Sequence, residues 1–413
     1  METPQARQTI NNGANPQIIG EGTYGCVAKP SFTCKGKKRN YSNKVSKVML
    51  HEDAKAEYKE MKSITKIKGI EKYITSMPEM CIPEIDSKYR MAMKDCENER
   101  FLGALEGDFR LLIMEDGGVS LRQFMDEIIE TLDHDGICIF LTKIYHLIEG
   151  LQFFANNNIV HHDIKSRNVV YNIETNTIKY IDFGLTKKKS QLIQESMKNK
   201  NLIAQEWDNF PPEYDIANKY HFALYGKYRY NMNYNTFIKK VADTLDSYSF
   251  GLMMKRIMEE FMKIDLDIDI EAIQEIHYFF EKMADPKIET RNYEINHLMT
   301  EYKMILEEYK LWNTNKPNPS EQSVQIQKSL SKSVDMSIEE RKTLKMALNP
   351  YRNLKPCRED QERNPLTRRC VKKCKKDYVR NEKYKCVKTR KQKQKPKPKP
   401  KQKVIITEKD SWL

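Results

Sequence analysis

The stretch that most constrains this chain runs from His161 to Asn168, HHDIKSRN, read together with Asp182 at the head of a DFG triplet. Between them lie a strand-like run, Val169-Val170-Tyr171, a polar turn, and a second run from Ile178 to Ile181. Asp163, Lys165 and Asn168 are too close together to share a helix face and a strand at once, so the three polar groups come off a loop. The two flanking runs pair as a small hairpin and bring Asp182 back beside Asn168. One place then holds a carboxylate base, a cation and two oxygens suited to a hard metal. Phosphoryl transfer draws on that set: a base or orienter for the attacking hydroxyl, a cation for the moving group, and oxygen ligands for Mg²⁺.

H-x-D-x-K-x-x-N followed by D-F-G resembles the catalytic core of eukaryotic-type protein kinases. The Lys two residues after the Asp resembles the serine/threonine branch. The resemblance implies an α+β fold in two lobes, a small antiparallel β lobe and a larger, mainly helical one. It implies Asp163 and Lys165 as catalytic groups, Asn168 and Asp182 as metal ligands, ATP as donor, and Mg²⁺ as the metal with Mn²⁺ as a substitute. One position departs. The family usually has Arg where this chain has His162, and that Arg pairs with a phosphate on the activation loop. Histidine is only partly charged near neutral pH, which puts activation by loop phosphorylation in question.

The other landmarks of that family follow in order. Ile18-Ile19-Gly20-Glu21-Gly22-Thr23-Tyr24-Gly25-Cys26-Val27 is a G-x-G-x-x-G run. The spacing alone is shared with dinucleotide-binding loops, but those need a helix immediately after, and here AKPSFTCKGKK follows, with Pro30 and Gly36. A strand–loop–strand flap over nucleotide phosphates fits better, with glycines that let the backbone approach phosphate oxygens. Val45, Lys47 and Met49 share one face of a short strand. Lys47 is preferred to Lys44 and Lys55 as the phosphate-binding lysine because only it has an apolar residue two positions away on both sides. An insertion is expected around residues 31–40. Residues 52–67 read as a helix, on which the family places a Glu that pairs with the lysine; Glu57 fits, and Glu60 fits nearly as well. Leu111 to Met114 is a buried-type strand leading into Glu115-Asp116-Gly117-Gly118, which resembles the hinge whose backbone, from Glu115 to Gly117, bonds the adenine edge. A long amphipathic helix is expected over residues 136–158.

Beyond DFG, the basic segment from Lys187 to Lys200 stands where the activation segment would be. Pro211-Pro212-Glu213 closes it where the family has A-P-E. The usual Thr shortly before is replaced by Trp207-Asp208-Asn209. Asp246-Ser-Tyr-Ser-Phe-Gly251 resembles the D-x-W-S-x-G helix start, whose Asp holds the catalytic loop. Asp285 to Arg291 resembles the D-P-x-x-R stretch, whose Arg would pair with Glu213. The resemblance spans residues 14–312, after a polar N-terminus over 1–13 that reads as disordered.

Charge divides the rest. The chain has 413 residues and a net charge of +13. From Tyr351 onward there are 23 Lys+Arg against 7 Asp+Glu, while the residues before hold 48 against 51. Residues 313–350 read as a polar linker with a short helix over 338–348. Residues 351–390 carry Cys357, Cys370, Cys374 and Cys386, with one tight pair at most and no His, so zinc is not favoured. The stretch from Cys357 through NPLTRRC resembles a two-cysteine adaptor module found at the ends of proteins of large DNA viruses, iridovirus-like or giant. It implies a viral protein that attaches to viral or virion components, located in the host cytoplasm or virus factory, with packaging in the particle as a further expectation. Residues 391–413 alternate Lys and Pro, an extended, self-repelling tail suited to non-specific contact with nucleic acid or acidic surfaces. The body cysteines Cys26, Cys34, Cys81, Cys96 and Cys138 show no metal spacing and fit a reducing, intracellular compartment. No apolar run of about eighteen residues suggests a membrane span.

Two rival readings remain. A scaffold with a kinase fold but no activity would recruit partners through the Cys module, though it has no need of filled catalytic positions. A small-molecule or lipid kinase would use the same core, though PPE and DPxxR build the peptide side of the large lobe. Protein Ser/Thr hydroxyls are the expected acceptors.

Overall fold

The computed structural model describes residues 15–37, 39–198, 209–264 and 268–314, with four short stretches at 361–363, 370–374, 378–380 and 386–388. The expected N-terminal disorder, the linker beyond Thr314, the helix over 338–348, Cys357 and the basic tail lie outside the described residues.

The first element set is an antiparallel sheet. β1 (Gln17–Gly22) and β2 (Gly25–Lys29) form a hairpin; β3 (Lys44–Leu50), β4 (Glu79–Cys81) and β5 (Phe109–Glu115) complete the order β1-β2-β3-β5-β4. The strand period of two sorts β3 between two environments. Val48 enters a cluster with Ile18, Cys26, Ala28, Leu111 and Ile113. Met49, on the face shared with Lys47, packs with Ala54 and Leu112 beneath α1 (His51–Ile64). Helix α1 starts with Glu52 and Asp53 in its first turn and has Lys62 in its last, both favourable to the helix dipole. It buries Ala54, Glu57, Met61 and Ile64, a 3–4 residue spacing that defines one face.

The opposite face of the sheet is covered by residues 82–108, which include α2 (Ser87–Ala92). Tyr89 and Ala92 of α2 join the cluster around Ile18 and Val48, and the Tyr89 ring lies 4.7 Å from that of Phe32. Two disulfides pin this layer and the expected insertion after β2: Cys26–Cys96 and Cys34–Cys81. This corrects the expectation of reduced cysteines, since four of the five in the body are paired and Cys138 is the buried free thiol. The partners lie 70 and 47 residues apart, so only the folded sheet brings them together, and short-range spacing carries no trace of it.

The helical part is built on α3 (His134–Asn156), whose start is capped by Asp133 accepting the Gly136 amide at 2.8 Å. Most of its apolar positions from Ile137 to Phe154 are buried, with Tyr145 and Phe153 half-buried. This helix is long and apolar enough to cross a membrane by length and composition, which the sequence reading did not expect. Its apolar residues are instead packed in the core with Phe250, Ile257, Phe280 and Tyr302. A small sheet of β6 (Val119–Ser120), β8 (Val169–Asn172) and β9 (Thr177–Tyr180) lies beside it, and β7 (Ile159–Val160) pairs with β10 (Lys187–Lys188). Helix α4 (Lys189–Met197) occupies much of the segment read as a basic activation loop. Leu192 and Ser196 are buried there, so QLIQESM has an inward face that its polar letters conceal. Helix α5 (Tyr234–Phe261) begins well before Asp246, which therefore sits inside the helix rather than at its start. Helices α6 (Ile270–Met283) and α7 (Ile295–Glu308) complete this part. Gly251 permits close approach of α5 and α6: a Cβ there would stand 2.5 Å from the Met283 Cβ.

Residues 355–413 form a separate compact unit. Its described strands make two hairpins, β11 (Gln361–Arg363) with β12 (Cys370–Lys372) and β13 (Tyr378–Arg380) with β14 (Cys386–Lys388). Cys374 is disulfide-bonded.

Candidate active site

The hairpin of β8 and β9 forms as the sequence requires, with Val169 opposite Tyr180. The chain then passes to Asp182, and the Ile181 amide donates to the Asn168 carbonyl at 2.9 Å. Asp163, Lys165, Asn168 and Asp182 are thus gathered at the end of one small sheet. Asp163 Oδ2 accepts from Lys165 Nζ at 2.7 Å and from Asn168 Nδ2 at 2.7 Å. Asp163 Oδ1 is buried and has no hydrogen-bond partner. Burial pushes the Asp163 carboxyl up to about 6, against the pull of Lys165. Asn168 Nδ2 also donates to the Asp163 carbonyl at 2.9 Å. Both amide protons are then used, and the side-chain oxygen is left as the acceptor.

Lys47 lies between two carboxylates, 2.7 Å from Glu57 Oε2 and 3.5 Å from Asp182 Oδ1. Of the two helix candidates, the structure brings Glu57 to the lysine. Burial works against the charge of Lys47, but Asp182 and Glu57 outweigh it and raise its pKa above the ordinary value. Burial raises Glu57; burial also works to raise Asp182, but Lys47 and the Gly184 amide outweigh it and hold that carboxyl below the usual carboxylate range. Asp182 adopts φ 62°, a left-handed conformation that Asp tolerates better than most residues. Phe183 is buried against the His161 ring at 4.5 Å. The Asn168 oxygen and the Asp182 carboxylate form an oxygen-only pair. Two such groups suit Mg²⁺, which keeps waters and takes substrate phosphates for the rest of its shell.

The glycine-rich run is the hairpin of β1 and β2, with Gly20 opposite Val27, Glu21 opposite Cys26 and Gly22 opposite Gly25. Thr23 and Tyr24 form its turn, and Ile19 falls at a register shift. Gly25 is required by packing, because a Cβ would stand 2.1 Å from the Val48 carbonyl oxygen. At Gly20 a Cβ would meet nothing within 4 Å. The space over Gly20 is therefore open, as close approach of a phosphate to the backbone requires. At the hinge, Glu115 pairs with Lys44 at 2.8 Å. The Asp116 amide is taken by the Asn43 carbonyl at 3.2 Å, so it is not available to an adenine. Gly117 packs against Val170, where a Cβ would stand 2.5 Å from Cγ2.

Asp246 fastens the loop that carries Asp163 from behind, its carboxylate accepting the His161 and His162 amides at 2.6 and 2.9 Å. Burial raises its pKa to about 6, and those two bonds oppose the rise. His161 donates from Nε2 to the Ile181 carbonyl at 3.2 Å. His162 donates from Nδ1 to the Leu185 carbonyl at 3.2 Å, and its Nε2 accepts from the Tyr214 hydroxyl. Burial and then the charge of Lys187 lower His162 to about 4, so the ring is neutral at pH 7. Glu213 and Arg291 meet as a bidentate pair at 2.6 and 2.9 Å. Tyr214 as the partner of His162 was not foreseen, nor were Cys96, Asn98 and Arg100, which touch the glycine-rich hairpin. These are contacts between distant segments, and no local pattern marks them. Trp207 and Asp208 lie outside the described residues.

A sequence model of the protein kinase domain matches residues 14–214. The chain is 34% identical over 88 residues to a protein of Acanthamoeba polyphaga mimivirus whose name reads serine/threonine-protein kinase/receptor, covering 19% of this chain and 5% of that one. It is 34% identical over 92 residues to human mitogen-activated protein kinase kinase kinase 6, covering 22% of this chain and 7% of the relative. It is 21% identical over 217 residues to the tyrosine-protein kinase receptor torso of Bombyx mori, covering 46% and 26%. The chain thus spans under a tenth of the first two relatives and about a quarter of the third. The fold is of the protein kinase type, with an antiparallel β part followed by a helical part.

Proposed function

We propose that this chain is an ATP-dependent serine/threonine protein kinase. The observation that carries the reading is the asymmetry of Asp163. One oxygen is tied to Lys165 and Asn168, while the other is buried and unpartnered. A buried acceptor without a donor is costly unless something supplies one, and an incoming hydroxyl does so. Asp163 would orient that hydroxyl and take its proton. Lys165, at hydrogen-bond distance from Asp163, would offset negative charge on the transferring group. Lys47, fixed by Glu57, would grip the α and β phosphates, and residues 19–27 would cover them. Asn168 and Asp182 would hold Mg²⁺, or Mn²⁺ in its place, which neutralises phosphate charge when bound. Glu115 and Gly117 would meet the adenine edge.

Lys165 two positions after the base supports Ser and Thr as acceptors, as does the similarity to the mimivirus protein whose name reads serine/threonine-protein kinase/receptor. The mimivirus relative and the Cys module support a viral origin. The module would engage viral or virion proteins, and the tail would contact nucleic acid or acidic surfaces. The location proposed is the host cytoplasm or virus factory, with packaging in the particle. The paired cysteines favour the packaged state, because disulfides persist poorly in reducing compartments. The test is full-length protein with radiolabelled ATP, Mg²⁺ and a generic basic protein, beside Asp163→Asn. Label on Ser or Thr that disappears in the variant supports the reading. Equal label in both, or label only on Tyr, overturns it.

A further inference from the structure

Residues 96–100 belong to the layer that covers the small sheet, and Cys96, Glu97, Asn98 and Arg100 each reach the glycine-rich hairpin, Arg100 also the helix beside it. Cys96 is bonded to Cys26, on the outgoing strand of the flap. Asn98, itself buried, donates from Nδ2 to the Gly22 carbonyl at 2.7 Å. The Glu97 amide donates to Glu21 Oε2 at 3.3 Å. The Arg100 guanidinium lies 5.0 Å from the centre of the Tyr24 ring at the flap tip. The same guanidinium bonds Asp53 at 2.9 Å, and Asp53 stands one turn before Glu57 on α1. One short strap therefore grips both strands and the tip of the flap, and ties them to the helix that presents Glu57 to Lys47.

We propose that Cys96, Asn98 and Arg100 are positioning residues that hold the glycine-rich flap in its nucleotide-covering position, and that the Cys26–Cys96 bond makes that hold dependent on thiol oxidation. The inference rests on the reading of Gly20–Gly25 as an ATP-phosphate flap. A glycine-rich hairpin left to itself has large conformational freedom, and each nucleotide-binding event must remove it. The strap removes it beforehand, which is preorganisation of a binding loop. Tyr89 and Ala92 pack the layer onto the sheet through apolar contacts, with Ile18, Phe32 and Val48 in the same cluster, that do not depend on the disulfide, so its opening is expected to act on the strap and flap. Opening is a two-electron exchange. A dithiol reductant gives two electrons and two protons to the Cys26–Cys96 bond, releases two cysteine thiols and becomes a disulfide itself.

The test is calorimetric binding of ATP with Mg²⁺ to full-length protein, oxidised and after dithiothreitol, together with hydrogen exchange of the flap amides in nucleotide-free protein. Removing the Asn98 bond to Gly22, with Asn98→Ala, weakens ATP binding about fivefold, the worth of one net hydrogen bond. Reduction of the wild type weakens it by at least about that factor, speeds exchange at Glu21–Gly25, and raises KM for ATP while kcat at saturation holds. Cys96→Ser reproduces the reduced behaviour and no longer responds to dithiothreitol. The paired variant Cys34→Ser with Cys81→Ser still responds, which assigns the effect to Cys26–Cys96. Equal ATP affinity and flap exchange in oxidised, reduced and Asn98→Ala protein overturn the strap. Absence of ATP binding to oxidised wild type instead overturns the kinase reading on which it rests.

Discussion

Replacing Arg291 with Met tests the deepest ion pair in the domain. Both side chains of the Glu213–Arg291 pair are wholly inaccessible to solvent. The guanidinium gives two hydrogen bonds to Glu213, one to Thr244 Oγ1 at 3.0 Å and one to the Asp285 carbonyl at 2.9 Å. It also lies over the Tyr248 ring at 4.6 Å. Met is close in volume, so little cavity forms and the loss is electrostatic. What remains is the Glu213 carboxylate, desolvated and without a counter-charge. Breaking a buried pair from one side costs roughly 3–5 kcal/mol. For a domain of about 300 residues the unfolding entropy is about 0.6 kcal/mol/K, which converts that loss to a fall in Tm of roughly 5–8 °C. The assay is urea and thermal unfolding of the full chain followed by circular dichroism. The double variant Glu213→Leu with Arg291→Met removes the orphaned charge as well, and it recovers most of the loss. A single variant that costs under about 1 kcal/mol, or a double variant as unstable as the single, would refute the claim that the pair is dry and mutually compensating.

Other outcomes follow from the same geometry. Asp163→Asn keeps the bonds to Lys165 and Asn168 in shape but removes the acceptor, and kcat falls by roughly 10²–10⁴ with unfolding midpoints unchanged. Lys47→Met leaves Glu57 and Asp182 facing each other without a cation; kcat/KM falls by roughly 10²–10³ and ATP binding weakens in calorimetry. Phosphatase treatment leaves kcat unaltered, because His162 reaches Leu185 and Tyr214 through neutral hydrogen bonds rather than through a phosphate. The pKa of His162 is lowered to about 4 by burial and Lys187, with Glu195 opposing, so its contribution to stability is full above the unfolded value near 6.5 and lost as pH falls toward 4. Between pH 7 and 5 the wild type loses about 2 kcal/mol more than His162→Gln in paired urea titrations, and parallel curves for the two would contradict a buried neutral ring.

The gathering of the candidate site was legible because it is local. Asp163 to Asn168 lie on one loop, and a two-strand hairpin returns Asp182 to them, so chain connectivity alone sets the geometry. Lys47 was legible because strands alternate, and a lysine flanked at both sides by inward-facing positions has one direction to point. Glu57 and Glu60 were harder to separate, since both lie near an apolar stripe. Packing decides: Glu57 is buried with Ala54, Met61 and Ile64, whereas Glu60 is not. Asp246 was assigned to its loop correctly and to its helix position wrongly, because the motif marks a tertiary contact and not a helix cap. Residues 82–108 offered no periodic pattern, and the disulfides that hold them span too many residues for spacing to reveal. Helix α4 was hidden for a related reason, since its inward face consists of Leu192 and a serine.

Magnitudes also decide what places α1, the helix on which both the lysine pair and the strap converge. The Arg100–Asp53 bridge has side chains 46% and 22% exposed, and such a pair is worth about 0–1 kcal/mol. Lys47–Glu57 is nearly dry, so its attraction is offset by the cost of desolvating both charges. Met61 and Ile64 are each 5% exposed, and burying a side chain of that size contributes about 1.5–3 kcal/mol. Apolar packing therefore sets the depth of α1, and the two ion pairs fix its rotation and register. Loss of Arg100 should then loosen the flap without withdrawing Glu57 from Lys47. Loss of Met61 would shift the whole helix and with it both contacts.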